Sequence, residues 1–201
     1  MGRSRFIPFS ITVIGAIAAL IFAVSGSRAA AAQQGGGNNE PPAFILGTVS
    51  GDPGTTTGIP LYFKTGGGKP IRSAHLEVEF VSNSVKFAKA DKGAASAVQD
   101  FDLTVDSNEL PPDDKNIKRT RLIIDLAVKD SDPKKSLPEG LLSFLDFSVP
   151  TDAKSFSIEL NPRVVSAQDA AKASVKVRGE AGKIIIALPD EPMAGCFFFT
   201  H

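Results

Sequence analysis

Alternation of apolar and polar residues limits this chain more than any other feature. Between Arg72 and Val81, Ala74, Leu76, Val78 and Phe80 fall on one face of an extended strand. Ser73, His75, Glu77 and Glu79 fall on the other. Arg119 to Val128 repeats the pattern. Leu122, Ile124, Leu126 and Val128 point inward there, and Arg121, Ile123, Asp125 and Ala127 point away. A period of two suits a sheet with one dry face and gives a helix no continuous apolar stripe.

The same grammar runs from Ala43 to about Leu188, with turn residues at roughly 8–12-residue intervals. Ala43–Ser50 and Ile59–Lys64 read as strands around the turn Gly51-Asp52-Pro53-Gly54. Val85–Ala88, Asp100–Val105, Leu141–Val149 and Lys154–Leu160 read as further strands. Phe156, Ile158 and Leu160 are placed inward in the last of these. Ser107–Asn116 and Lys129–Glu139 read as polar, proline-bearing loops, and Ala167–Ala173 as a loop or one turn. Ser174–Arg178 and Lys183–Leu188 read as a closing hairpin around Gly179 and Gly182. About nine short strands and no convincing helix predict an antiparallel β-sandwich or jelly roll.

The two ends of the chain follow different rules. Arg3 and Arg5 precede an apolar run, Phe6 to Val24, and then Ser25-Gly26-Ser27 and Ala29 to Ala32. This is the pattern of a signal peptide, residues 1–32, cut after Ala32 or, as second choice, after Ala29. An uncleaved membrane anchor is the alternative, because a run of about 19 residues just spans a bilayer. Gln33 to Pro42 reads as a flexible spacer of Gly, amides and Pro, and residues 43–188 as the folded domain. The tail, 189–201, carries Cys196 beside Phe197, Phe198 and Phe199. An unpaired Cys in an exported chain suggests attachment through an intermolecular bond or modification; packing on the sandwich and a disordered end are the alternatives.

Composition removes several function classes. Lys+Arg and Asp+Glu both total 22, which excludes a strongly basic nucleic-acid binder. Cleavage after Ala32 removes three arginines and no acids, so 19 − 22 leaves a net charge of −3. One Cys excludes an internal disulfide framework and a multi-cysteine zinc site, and His75 and His201 are the only histidines. Glu77 and Glu79 sit about 7 Å apart on one strand face, a separation that glycosidases use. A solvated strand face is the better reading, since the chain has no Trp and a single Tyr to line a sugar cleft. Pro112-Asp113-Asp114 and Asp130-Ser131-Asp132 lack the twelve-residue pattern of an EF-hand. No G-x-S-x-G nucleophile elbow occurs. No catalytic residue, cofactor or metal site is assigned.

The order of these segments resembles the cohesin domain family over about Phe44 to Leu188. Val49-Ser50-Gly51-Asp52-Pro53-Gly54 followed by Ile59-Pro60-Leu61-Tyr62-Phe63 matches its opening strand, turn and Ile-Pro strand. Ala74 to Phe80, then Asn83-Ser84-Val85-Lys86-Phe87 closing at Gly93, follows its next segment, with Val81-Ser82-Asn83 where the family has Tyr-Asp-Pro. Gly140, Leu142, Leu145, Phe147 and Val149, and then Gly182-Lys183-Ile184-Ile185-Ile186, match two later strands.

The resemblance implies a nine-stranded jelly roll without catalytic activity that binds a protein partner through one sheet. In that family the partners are dockerin modules, so Ca²⁺ would enter only through a partner. A role in scaffolding or adhesion at the cell surface, with a link to polysaccharide breakdown, follows from the same resemblance. It also implies that Arg72–Val81, Asp100–Val105, Arg119–Val128 and Lys154–Leu160 share the binding sheet. The outward residues His75, Glu77, Glu79, Asp102, Thr104, Arg121, Ile123, Asp125, Ser155, Ser157 and Glu159 are then the candidate partner-binding face. That face is read as acidic around a central Ile123 and calls for a partner with a basic patch. Direct polysaccharide binding is the alternative, with Tyr62 as its one outward aromatic. N-terminal sequencing of the exported protein is expected to begin at or near Gln33; recovery of intact residues 1–32 in membranes would instead establish the anchor.

Overall fold

The computed structural model describes residues 40–187. The signal segment, most of the spacer, and the tail with Cys196 lie outside the described residues. The chain forms β1 (Ala43–Leu46), β2 (Thr48–Gly51), β3 (Thr56–Lys64), β4 (Ser73–Val81), β5 (Lys86–Lys92), a 3₁₀ turn (Ala94–Ala97) and β6 (Phe101–Leu110). It continues through β7 (Arg119–Val128), β8 (Gly140–Ser148), β9 (Phe156–Gln168), β10 (Arg178–Glu180) and β11 (Gly182–Ile186). One sheet has the order β10-β1-β3-β8-β5 and the other β2-β11-β9-β4-β7-β6. They pack face to face as a sandwich.

The inward residues of the alternating strands make one core. Phe44, Ile59, Leu61, Leu145 and Phe147 come from the five-stranded sheet, and Leu76, Val78, Leu122, Ile124 and Ile184 from the six-stranded sheet. Phe80 of β4 meets Phe147 of β8 edge to face with ring centroids 5.3 Å apart, which ties the two layers together.

The strands expected at the two ends of the domain behave differently from a single strand and a hairpin. Ala43–Ser50 divides at Gly47, so that β1 joins one sheet and β2 the other. The closing segment divides in step. β10 pairs in parallel with β1, and β11 pairs in parallel with β2 and antiparallel with β9. The sheets are therefore mixed rather than wholly antiparallel. Gly47 belongs to both crossings: its N–H donates to Pro60 at 2.9 Å and its carbonyl accepts from Lys183 at 3.2 Å. A Cβ on Gly182 would stand 2.3 Å from that carbonyl oxygen. No side chain fits there.

Three other boundaries move. β6 continues to Leu110, into the segment read as a loop, because its whole length pairs with β7. β5 extends to Lys92 along β8. β9 passes through Pro162 to Gln168. Pro162 is accommodated because the ladder with β11 ends at the Gly182–Leu160 pair, so no donor is required on that side beyond it. Phe156, expected inward, is 49% exposed, since β9 begins there at the margin of the sheet. The spacer is already tethered at Glu40, whose carbonyl accepts from the Gly67 N–H at 3.1 Å.

Gly182→Ala is expected to cost about 1–3 kcal/mol, the usual range for overpacking a filled site. Thermal unfolding measures it, and an unchanged Tm would show that the crossing can relax.

Candidate partner-binding face

The four strands proposed to share a sheet do so, side by side in the order β9-β4-β7-β6. Register places their outward residues in rows. Thr104, Asp125, His75 and Ser166 form one row, Asp106, Ile123, Glu77 and Arg163 the next, and Asn108, Arg121, Glu79 and Asn161 the third. Ile123 is half-buried in the middle row, directly between Asp106 of β6 and Glu77 of β4.

The carboxylates of this face are largely engaged by neighbouring strands. His75 Nδ1 lies 2.6 Å from Asp125 Oδ1, within hydrogen-bond reach across the two strands. Arg121 donates to Glu79 from Nε at 2.9 Å and from Nη2 at 2.6 Å. Glu77 is only 15% exposed and lies between two guanidinium groups. Arg163 donates to it at 2.8 Å, and Arg121 Nε is 3.7 Å away. The hydrogen bond to Glu79 and the charge of Glu77 hold the Arg121 pKa above that of a free guanidinium, against the opposing effect of desolvation.

Glu159 and Asp102 stand at the margins of the face. Glu159 pairs with Lys183 of β11 at 3.1 Å, and Asp102 with Lys129 at 3.4 Å. Ser155 precedes β9 and donates its hydroxyl to the Ile186 carbonyl at 3.2 Å. Beside Asp102, hydrogen bonds from Lys92 and then Lys129 hold the Asp100 carboxyl below the usual carboxylate range.

Several contributors to this face lie outside the strands as the sequence bounds them. Asn108 falls in the segment read as a loop, and Asp106, Asn161 and Arg163 lie beyond the expected ends of their strands. Arg119 shares the parity of Arg121 and was legible by alternation. With Arg119 and Arg163 included, Asp102 and Asp125 at one end of the face are paired with Lys129 and His75, and the opposite end is rich in arginine. There Glu77, Glu79, Arg119, Arg121, Asn161 and Arg163 line an open depression of about 350 Å³.

The aspartate loops considered for Ca²⁺ use their carboxylates on their own backbone. Asp113 accepts from the N–H groups of Lys115 and Ile117, Asp130 from Asp132, and Asp132 from Lys134. Among the described residues, no group of three or more His, Cys, Asp or Glu side chains is placed to hold a metal ion.

The opposite surface, the outer face of the five-stranded sheet, exposes Tyr62 of β3 at 41% and Phe144 of β8 at 40%. Gly58 leaves room there for Phe144 and Asp146: a Cβ on it would stand 2.8 Å from Asp146 Oδ1 and 3.6 Å from the Phe144 ring.

No family model matches the sequence, and no curated relative matches it. Solved structures do match the fold. The sixth cohesin of scaffoldin B from Acetivibrio cellulolyticus, solved with a Cel5 dockerin variant, superposes with a TM-score of 0.54 at 14% identity, covering 74% of this chain and 100% of that one. The OlpA cohesin of a type I cohesin–dockerin complex from Clostridium thermocellum gives 0.56 at 14% identity, over 74% and 100%. A non-cellulosomal cohesin from the archaeon Archaeoglobus fulgidus gives 0.51 at 16% identity, over 75% and 94%. The chain has a cohesin-like fold.

Proposed function

We propose that this chain is an exported, non-catalytic module that binds a protein partner through the outward face of β9-β4-β7-β6. The observation that carries the reading is Ile123. It is a half-buried apolar residue in the middle row of the face, flanked by Asp106 and Glu77 on the neighbouring strands. Binding energy in such interfaces concentrates in a few central desolvated groups, while rim charges set association rate and salt dependence. The likeness to cohesins solved with dockerins supports a dockerin-type partner, with Ca²⁺ supplied by that partner. The carboxylates of Asp102, Asp106 and Asp125 suit a basic patch on it. The signal-like N-terminus supports work outside the cell or at its surface, in scaffolding or adhesion connected with polysaccharide breakdown.

Ile123→Asp is expected to lose on the order of 2 kcal/mol or more of binding, because it places a third carboxylate between Glu77 and Asp106. Asp125→Lys should mainly slow association and change its salt dependence. Calorimetry and surface capture against a panel of dockerin modules measure both. Unchanged affinity for Ile123→Asp, with circular dichroism intact, would remove this face from consideration.

One observation favours a second reading, direct polysaccharide binding. Tyr62 is joined by Phe144 on the outer face of the five-stranded sheet, which gives two exposed aromatic rings where a single ring was expected. Retention on insoluble polysaccharide that is lost in Tyr62→Ala and in Phe144→Ala, but kept in Ile123→Asp, would establish it. Absence of retention by the unaltered protein would dismiss it.

A further inference from the structure

We infer that the arginine-lined depression at one end of the partner-binding face receives an acidic side chain of the partner, which fixes the direction in which that partner lies across the strands. The inference rests on the protein-binding reading and adds the chemistry of a second contact region beside Ile123.

Arginine is scarce in this domain. Residues 40–187 hold five arginines against 14 lysines, and three of the five, Arg119, Arg121 and Arg163, line this one depression, where no lysine enters. A planar guanidinium presents five N–H donors in a fixed fork and grips a carboxylate through two of them, whereas an ammonium acts as a point charge. The choice of cation therefore matches a carboxylate ligand.

Many of these donors have no hydrogen-bond acceptor among the described residues. Arg163 is 72% exposed and donates from Nη2 to Glu77; Arg121 uses Nε and Nη2 on Glu79. Arg119 approaches Asp113 Oδ2 only at 3.9 Å, and Asp113 Oδ1 is already taken by two N–H groups of its own loop. Glu77 and Glu79 thus serve as struts that hold Arg121 and Arg163 in place, while Arg163 and Arg119, with side chains 72% and 48% exposed, line the depression. Three guanidinium groups against two carboxylates leave the lining of the depression positive. The sheet as a whole then presents Ile123 in the middle and a positive lining at one end, while the aspartates toward the other end are paired, Asp125 with His75 and Asp102 with Lys129. A partner that carries an acidic side chain beside its apolar contact docks in one direction, and its reversal takes that side chain away from the arginines.

The test uses the full chain with a blocked peptide of alternating Glu and Ser, the same peptide with Gln for Glu, and free glucuronate. The readout is the Nε–Hε nuclear magnetic resonance signals of the arginines. The Glu peptide is expected to shift Arg119 and Arg163 saturably, with at least tenfold higher affinity than the Gln peptide. The response should be lost in the double variant Arg119→Gln with Arg163→Gln and kept in Ile123→Asp. Equal responses to the Glu and Gln peptides, or shifts spread equally to Arg72 and Arg178, would overturn the inference. Glucuronate binding as tightly as the Glu peptide would overturn the protein side chain as the source of the carboxylate. Failure of the protein-binding reading gives a different pattern: the Glu peptide still binds, while Ile123→Asp leaves capture of dockerin modules unchanged.

Discussion

The paired sheet crossings at Gly47 and Ala181 hold this molecule together as one body. Two strands leave one sheet and enter the other side by side, and the Gly47 peptide is hydrogen-bonded on both flanks. This is possible only because Gly182 presents no side chain to the Gly47 carbonyl. β11 thereby reaches the six-stranded sheet beside β9, and β9 in turn carries β4, β7 and β6. The flat outward face is downstream of that single close approach of two backbones.

The electrostatics of the face follow from register. Cross-strand neighbours stand near enough for side chains to pair. Register then sets His75 opposite Asp125, and Glu79 opposite Arg121. Exposed ion pairs of this kind stabilise a fold weakly, so their larger effect is on which charges remain free for a visitor. Counting acidic residues along the strands gives an acidic surface. Pairing them across the strands leaves Asp106 without an ion-pair partner among the described residues, beside Ile123, and the arginines toward one end.

How much of this was legible in the sequence depended on the kind of signal each segment carries. β4 and β7 were readable to the residue, because each has a dry face and a wet face along its whole length. Their outward residues, including Ile123, were placed correctly for the same reason. The sheet crossings were not readable: a strand that changes sheets keeps its alternation while changing partners, and pairing partners leave no periodic trace. Pro162 hid Arg163, since proline normally ends a ladder and here sits just past the end of one. Phe156 kept its inward parity, but the sheet margin had no core to cover it. The unbroken pairing that carries β6 through Asp106 and Asn108 depends on β7, a partner that its own polar sequence does not announce.

The parallel course of the end strands has a mechanical consequence. The domain is entered at Ala43 and left at Ile186, and β1–β2 and β10–β11 run in the same direction between those points. A tension applied to the two ends therefore pulls along the strands in opposite senses and loads their interstrand hydrogen bonds in shear. Bonds loaded in shear share the force and must give way together, whereas a hairpin pulled at its open end unzips one bond at a time. A domain held by both of its chain ends would resist extension through the same strands that close its sandwich.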